Sequence, residues 1–151
     1  MYFFNQRLAA MLFLIAIVTV STNCRKESSS DKGCKTDMPH IAGNYKLSGL
    51  KYKANATGAE QDFLDQLDDC EKDDLIVLHA NGSYEHKDMG LICSPETSIT
   101  GTWGIQGNHI TSSDADFLQG TITNFDCKSL VYYVSDIYTS GDKLTFTLTK
   151  Q

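Results

Sequence analysis

Five cysteines, at positions 24, 34, 70, 93 and 127, offer the widest choice of chemistry in this sequence. A cysteine can act as a nucleophile, bind a metal ion, carry a lipid or form a disulfide. No pair has the Cys-X-X-Cys spacing of a zinc or thiol redox site. In an exported chain, four of them would form a disulfide framework and the fifth would need a role of its own.

The N-terminus carries the pattern of an export signal. An apolar run extends from Leu8 to Val20, with Arg7 before it and small polar residues after it. The run is shorter than the roughly 17–25 residues that cross a bilayer as a helix. A buried helix is disfavoured because the run is apolar on every side, and the rest of the chain would have to enclose it. The pattern predicts a signal peptide over residues 1–23.

Cys24 closes this segment and resembles the lipobox cysteine of bacterial lipoproteins, although Ser21 and Asn23 stand where lipoboxes carry Leu and a small residue. The resemblance implies cleavage before Cys24, a diacylglycerol group on its thiol and an acyl chain such as palmitate on the new amino terminus. Arg25, rather than Asp, implies the outer membrane as the destination. The polar, Ser-rich stretch that follows predicts a flexible lipidated tether over residues 24–40.

Other reactive side chains lack the spacing of a known site. The acidic block of residues 65–74 has no central glycine and is interrupted by Cys70 and Lys72, so a solvated helix end is favoured over a calcium loop. His-Glu-X-X-His, Gly-X-Ser-X-Gly and Gly-rich phosphate motifs are absent. We therefore expect no metal, no cofactor and no enzyme activity. A formal net charge of −6 disfavours nucleic acid as a partner.

Period-two alternation of apolar and polar residues dominates after Gly43 and predicts strands bounded by turn residues. The predicted strands are 44–53, 75–79, 83–88, 101–106, 109–113, 117–125, 129–138 and 143–150. The segment Ala59 to Asp69 has apolar residues on one helical face and predicts a short amphipathic helix. Successive hairpins of this kind predict an all-β domain over residues 41–151, closed into a small antiparallel up-and-down barrel of eight strands.

The Asn81-Gly82 turn sets the register of its hairpin. A three-residue loop with Gly82 in the left-handed conformation pairs Leu78 with Tyr84 and gathers the apolar side chains on one face, so it is favoured over a two-residue loop. It also places His79 and His86 on opposite faces, against a shared metal ion. Either register brings Cys70 and Cys93 nearly opposite each other, and Cys34–Cys127 then follows by elimination. Four cysteines allow three connectivities, and the sequence leaves all three open.

Several segments together resemble the lipocalin-like domains of bacterial outer-membrane lipoproteins. They are DCEKDDLIVLHANGSY (69–84), Cys93, GTWGIQGNHI (101–110) and KLTFTLTK (143–150). Gly43-Asn44-Tyr45 stands where lipocalins carry Gly-X-Trp. The resemblance covers roughly residues 41–150 and implies a barrel whose cysteines at 70 and 93 bracket one hairpin.

A barrel of this size either holds one small ligand or is filled by its own side chains. The candidate ligand-binding residues of the interior are Tyr45, Leu78, Tyr84, Trp103, Ile105, Tyr132 and Phe146. We expect a membrane-anchored binding protein for a small hydrophobic or amphipathic ligand. The alternative is an accessory protein of the cell envelope, with a filled barrel and a protein partner on its outer surface.

Overall fold

Residues 33–95, 98–113 and 118–151 are described by the computed structural model, and within them nearly all regular structure is β. The strands are β1 Gly43–Lys53, β2 Gln61–Asp62, β3 Leu75–Leu78, β4 Ser83–Lys87, β5 Ile99–Gln106, β6 His109–Ser112, β7 Gly120–Phe125, β8 Ser129–Ser135 and β9 Lys143–Lys150. Two one-turn helices, α1 Met38–Ile41 and α2 Asp69–Lys72, and a 3-10 turn at Leu64–Gln66 complete the elements. The predicted signal peptide and Cys24 lie outside the described residues.

The strands close into a barrel. Neighbours pair antiparallel in chain order from β3 to β9, and β1 pairs with both β3 and β9. β1 and β3–β9 therefore form a closed eight-stranded antiparallel barrel, which confirms the predicted fold. The short β2 adds to β1 beyond the end of β3, at Lys51 and Tyr52.

The registers follow the turn chemistry. Leu78 pairs with Tyr84 around Gly82, whose φ is 89°, so the predicted three-residue loop is confirmed. Ile105 pairs with Ile110 across the next turn, also as predicted.

Two bulges adjust which side chains face inward. The pairing of β1 with β9 shifts between Leu47 and Gly49, so Leu50 and Tyr52 lie on the same side of the sheet as Leu47. A second shift after Ile122 lets both Ile122 and Phe125 be buried although they are three residues apart.

The up-and-down order sends alternate connections to opposite ends of the barrel. One end, here called the closed end, holds α1 and the turns 79–82, 107–108 and 126–128. The other end, here called the rim, holds the connections 54–74, 88–95 and 136–142 and residues Leu118 and Gln119.

α1 covers the closed end. Ile41 is fully buried, and its carbonyl oxygen accepts a hydrogen bond from the Tyr45 hydroxyl. Asp37 caps the helix by accepting the backbone N–H of His40. Cys34 is joined to Cys127 in the β7–β8 turn. The tether predicted to extend to residue 40 is therefore too long, because the segment from Cys34 onward is fixed to the barrel.

The predicted helix over 59–69 is wrong. The chain forms β2 and then the 3-10 turn, and α2 begins only at Asp69. The Asp62 side chain accepts the backbone N–H of Leu64, and Glu71 accepts that of Asp68, so local side-chain bonds replace a continuous helix. Predicted strand 129–138 ends earlier, at Ser135, because Asp136 takes a left-handed conformation with φ 57°.

Candidate functional site

Tyr132 and Phe146 form the aromatic centre of the barrel interior. They are directly opposed on β8 and β9, and their rings stack with centroids 4.9 Å apart and an angle of 5° between their planes. Tyr132 is fully buried, whereas Phe146 is only partly buried. A stacked pair of this kind adds about 0.5–1.5 kcal/mol beyond the area that it buries. The two residues thus give the interior a rigid apolar wall.

The Tyr132 hydroxyl is the polar atom of this wall, and no described residue forms a hydrogen bond of good geometry with it. Burial raises the pKa of Tyr132 well above its usual value, and a weak hydrogen bond from the Leu118 backbone, too distorted to satisfy the hydroxyl, lowers it in part. A buried hydroxyl without a hydrogen bond costs about 1–3 kcal/mol. A bound molecule that supplied a polar atom here would recover that free energy.

The backbone of Leu118, two residues before β7, lies near this hydroxyl. Its side chain is fully buried in the same apolar cluster as Tyr132, and its φ is 55°. Leucine rarely adopts this left-handed conformation, which costs of order 1–3 kcal/mol and persists only when surrounding contacts impose it. Packing in this cluster therefore holds Leu118 in its strained conformation.

A polar pair lies nearer the rim. His86 Nε2 is 3.0 Å from Asp74 Oδ2, and the Asp74 side chain is buried. Burial raises the pKa of Asp74, and repulsion from Asp88 and Asp73 adds to this, while the Met89 N–H and His86 act in the opposite direction. His79 instead contacts Glu85 at 2.8 Å, so the two histidines have separate partners as the register predicts.

Tyr45 and Trp103 direct their polar atoms to backbone groups near the closed end. The Tyr45 hydroxyl donates to Ile41 O, and Trp103 Nε1 donates to His79 O at 2.9 Å. Burial raises the pKa of Tyr45. Both side chains therefore tie the wall of the barrel to its covered end.

The remaining predicted interior residues lie in or against the core. Leu78 and Tyr84 are buried, and Ile105 is partly buried against the same cluster. The Tyr84 ring lies over Gly101, where an added Cβ would come within 2.6 Å of Tyr84 Cε1. The structure therefore brings all seven predicted residues into or against one core, but only Tyr132 combines burial with an unsatisfied polar atom.

A separate cavity of about 210 Å³ lies at the closed end. Its lining comprises Thr36, Gly107, Asn108, Ile122, Thr123, Asn124 and Phe125. It is smaller than the roughly 300–1,000 Å³ of typical ligand pockets and includes neither Tyr132 nor Phe146. The cavity is therefore not part of the candidate site.

The sequence did not predict the carboxylate that holds the backbone of the 136–142 connection at the rim. Asp142 is 1% exposed and accepts the backbone N–H groups of Ile137, Tyr138 and Thr139 at 2.8–2.9 Å. The Tyr52 hydroxyl donates to it at 3.2 Å. Burial alone would raise the pKa of Asp142, but these hydrogen bonds lower it below its ordinary value. The Ser-Gly-Asp order of residues 140–142 indicated a turn, but not a buried acid.

Within the described residues, no cluster of three or more His, Cys, Asp and Glu side chains is placed to hold a metal ion. The same part of the chain contains no helix that is long and apolar enough to span a membrane. Its two disulfides are typical of an exported protein in an oxidising compartment.

Comparison with known proteins gives one family. A family profile described as a lipocalin-like domain matches residues 41–146, most of the chain. No curated protein and no solved structure matches the sequence.

Proposed function

We propose that this chain, which belongs to the lipocalin-like domain family, is an exported, lipid-anchored and non-enzymatic protein whose barrel binds a small hydrophobic or amphipathic ligand. The observation that carries the proposal is the Tyr132 hydroxyl, which is fully buried beside the stacked ring of Phe146 and has no hydrogen bond of good geometry. Ligand sites of this type are mostly apolar, with a few polar atoms that fix the orientation of the ligand.

Membrane anchoring is supported by the cysteine arrangement. The two disulfides use Cys34, Cys70, Cys93 and Cys127, so neither employs Cys24 at the end of the predicted signal peptide. A thioether to diacylglycerol gives that thiol a role, and two or more acyl chains provide stable anchoring.

The experiment is a mass spectrum of the intact chain, extracted from its own membrane and measured first under native and then under denaturing conditions. The denatured mass is expected to equal residues 24–151 plus acyl chains, less four hydrogens for the two disulfides. An unmodified Cys24 would contradict the anchor. The native spectrum is expected to contain an additional small molecule that is lost on denaturation.

Two matched variants test the site. Tyr132→Phe removes the unpaired hydroxyl, so we expect loss of the bound molecule with unchanged or slightly increased stability. Tyr45→Phe removes a hydroxyl that is bonded to Ile41 O, so we expect retained ligand and a loss of about 1 kcal/mol in unfolding free energy. Equal ligand occupancy in wild type and Tyr132→Phe would contradict the proposed role of Tyr132.

A second candidate function is a cell-envelope accessory protein with a filled barrel. It is favoured by the fully buried side chains that span the core and by apolar side chains exposed at the rim. A barrel without bound molecule in the native spectrum of the wild type would favour this function over ligand binding.

A further inference from the structure

The loop Asp88–Ser94, here called the apolar loop, presents large hydrophobic side chains to solvent. Met89, Leu91 and Ile92 are 42%, 59% and 57% exposed. The other large hydrophobic residues that are exposed in the described chain are Ile99, Ile137 and Tyr138, which also lie at or beside the rim. Exposed apolar side chains therefore concentrate at one end of the barrel, and clusters of this kind mark interaction surfaces.

The apolar loop is held in place by polar anchors. Alternate backbone N–H groups donate to aspartate carboxylates: Met89 to Asp74 at 3.3 Å, Leu91 to Asp73 at 2.9 Å and Cys93 to Asp88 at 3.0 Å. The Cys70–Cys93 disulfide adds a covalent link to α2. Since the backbone is fixed at every second residue, the loop cannot readily bury its hydrophobic side chains against the barrel. The loop thus presents a preorganised surface, which lowers the entropic cost of binding.

The segment that anchors the loop is strongly acidic. Between β1 and β3 its exposed acidic residues are Glu60, Asp62, Asp65, Asp68, Asp69 and Glu71. The same segment contains a single basic residue, Lys72, which pairs with Asp69 at 3.0 Å. We call these six exposed acidic residues the acidic border. A partner that is complementary to an apolar surface beside such a border carries basic side chains around its own apolar residues.

We propose that the apolar loop and α2 form a docking surface for a cationic amphipathic segment of a partner protein. Leu91 and Ile92 contact the apolar face of that segment, and the carboxylates of the acidic border contact its lysine or arginine side chains. An anionic lipid surface is disfavoured because it would be repelled by the same carboxylates. A second copy of this chain is disfavoured because it would bring two acidic borders together.

The test uses the intact chain with both disulfides oxidised, and three probes. The first is a fluorescent amphipathic helical peptide built of leucine and lysine. The second is the same peptide with glutamate in place of lysine, and the third is a vesicle that contains anionic phospholipid. Binding of each peptide is measured by fluorescence anisotropy at low and high salt, binding of the vesicle by co-sedimentation, and self-association by analytical ultracentrifugation.

We expect the lysine peptide to bind and the glutamate peptide and vesicle to bind at least tenfold more weakly. The variant Leu91→Ser/Ile92→Ser should weaken lysine-peptide binding at least tenfold, because both side chains are exposed and contribute contact rather than folding. Asp65→Asn/Asp69→Asn should weaken it less and reduce its salt dependence. The control Tyr138→Ser removes the most exposed of these side chains from a neighbouring loop and should change affinity less than twofold. The fluorescence of Trp103, the only tryptophan, shows that each variant is folded.

Four outcomes would overturn the proposal. Equal binding of the two peptides would show that charge does not contribute to binding. Equal binding of the lysine peptide by wild type and Leu91→Ser/Ile92→Ser would show that the apolar loop does not contribute. Preferential binding of the vesicle would make the loop a lipid contact. Self-association that Leu91→Ser/Ile92→Ser abolishes would make a second copy the partner. The test does not depend on a ligand inside the barrel, so its failure leaves the role of Tyr132 standing.

Discussion

The two disulfides close chain loops of very different length, and this difference predicts their contributions to stability. Cys70 and Cys93 are separated by 23 residues, whereas Cys34 and Cys127 are separated by 93. In the chain-entropy model, a cross-link stabilises the fold by restricting the unfolded chain, and the effect increases with the logarithm of loop length. Applied to these separations, the model gives about 3.4 kcal/mol for the short loop and about 4.6 kcal/mol for the long one.

The assay is urea unfolding of two paired variants, Cys70→Ser/Cys93→Ser and Cys34→Ser/Cys127→Ser, compared with the oxidised wild type. We expect the second pair to lose more unfolding free energy, by about 1.2 kcal/mol. Both variants should show a larger dependence of free energy on urea, because an unfolded chain without a cross-link exposes more surface. A domain of this size has about 5–15 kcal/mol of total stability, so the Cys34→Ser/Cys127→Ser protein should be marginal.

The opposite order would refute the entropic argument for the long loop. Cys34 lies just before α1, near the start of the described chain, and without its disulfide that segment can detach while the barrel remains folded. Such detachment would make the loss of unfolding free energy in Cys34→Ser/Cys127→Ser well below the loss in Cys70→Ser/Cys93→Ser. The dependence of the free energy on urea would then be unchanged. Hydrogen exchange at the backbone N–H of Ile41 and Ala42, which bond within α1, would then be fast in the native state.

Two further predictions concern the rim and the barrel wall. Asp142→Asn should lower stability at neutral pH: the folded pKa of Asp142 lies below its unfolded value, so its contribution is present above the unfolded pKa and lost as pH falls through the folded one. Thermal unfolding from pH 7 to pH 3 checks this, and a variant with the same pH dependence as wild type would contradict it. Gly101→Ala should lose about 1–3 kcal/mol in unfolding free energy, because its Cβ would come within 2.2 Å of Ser113 Oγ and 2.6 Å of Tyr84 Cε1. Gly104→Ala on the same strand, where the nearest atom is 3.6 Å away, should be neutral in the same urea titration, and equal losses would exclude the steric explanation.

The barrel could be predicted from local signals because each one constrained the next. Alternation set the inward face, and Gly82 set the register of its hairpin. Either register of that hairpin brings Cys70 and Cys93 nearly opposite each other, and the structure contains this pair as a disulfide. The family profile then agrees with the resemblance that the same segments suggested.

What the sequence did not predict depends on side-chain hydrogen bonds and on bulges. The apolar spacing of 59–69 fits a helix, but the Asp62 side chain accepts a hydrogen bond from the Leu64 N–H, and the chain turns there. The bulge in β1 moves Tyr52 to the inward face, where its hydroxyl reaches Asp142, ninety residues further along the chain. A local pattern contains no signal for a bond of that separation, so the acid that organises the rim was missed.

The two ends of the barrel use buried polar groups differently, and this difference bears on where the proposed binding would occur. At the closed end, the Tyr45 O–H and the Trp103 Nε1–H each donate to a backbone carbonyl, so neither side chain has an unpaired donor for a ligand. At the rim, carboxylates fix the backbones of loops and leave the loop side chains exposed, as Asp142 does for Tyr138. Rigid loops on a closed scaffold are the arrangement on which binding residues are commonly found. The Tyr132 hydroxyl lies between the two ends, so both the proposed interior site and the proposed docking surface lie away from the closed end, which holds Cys34.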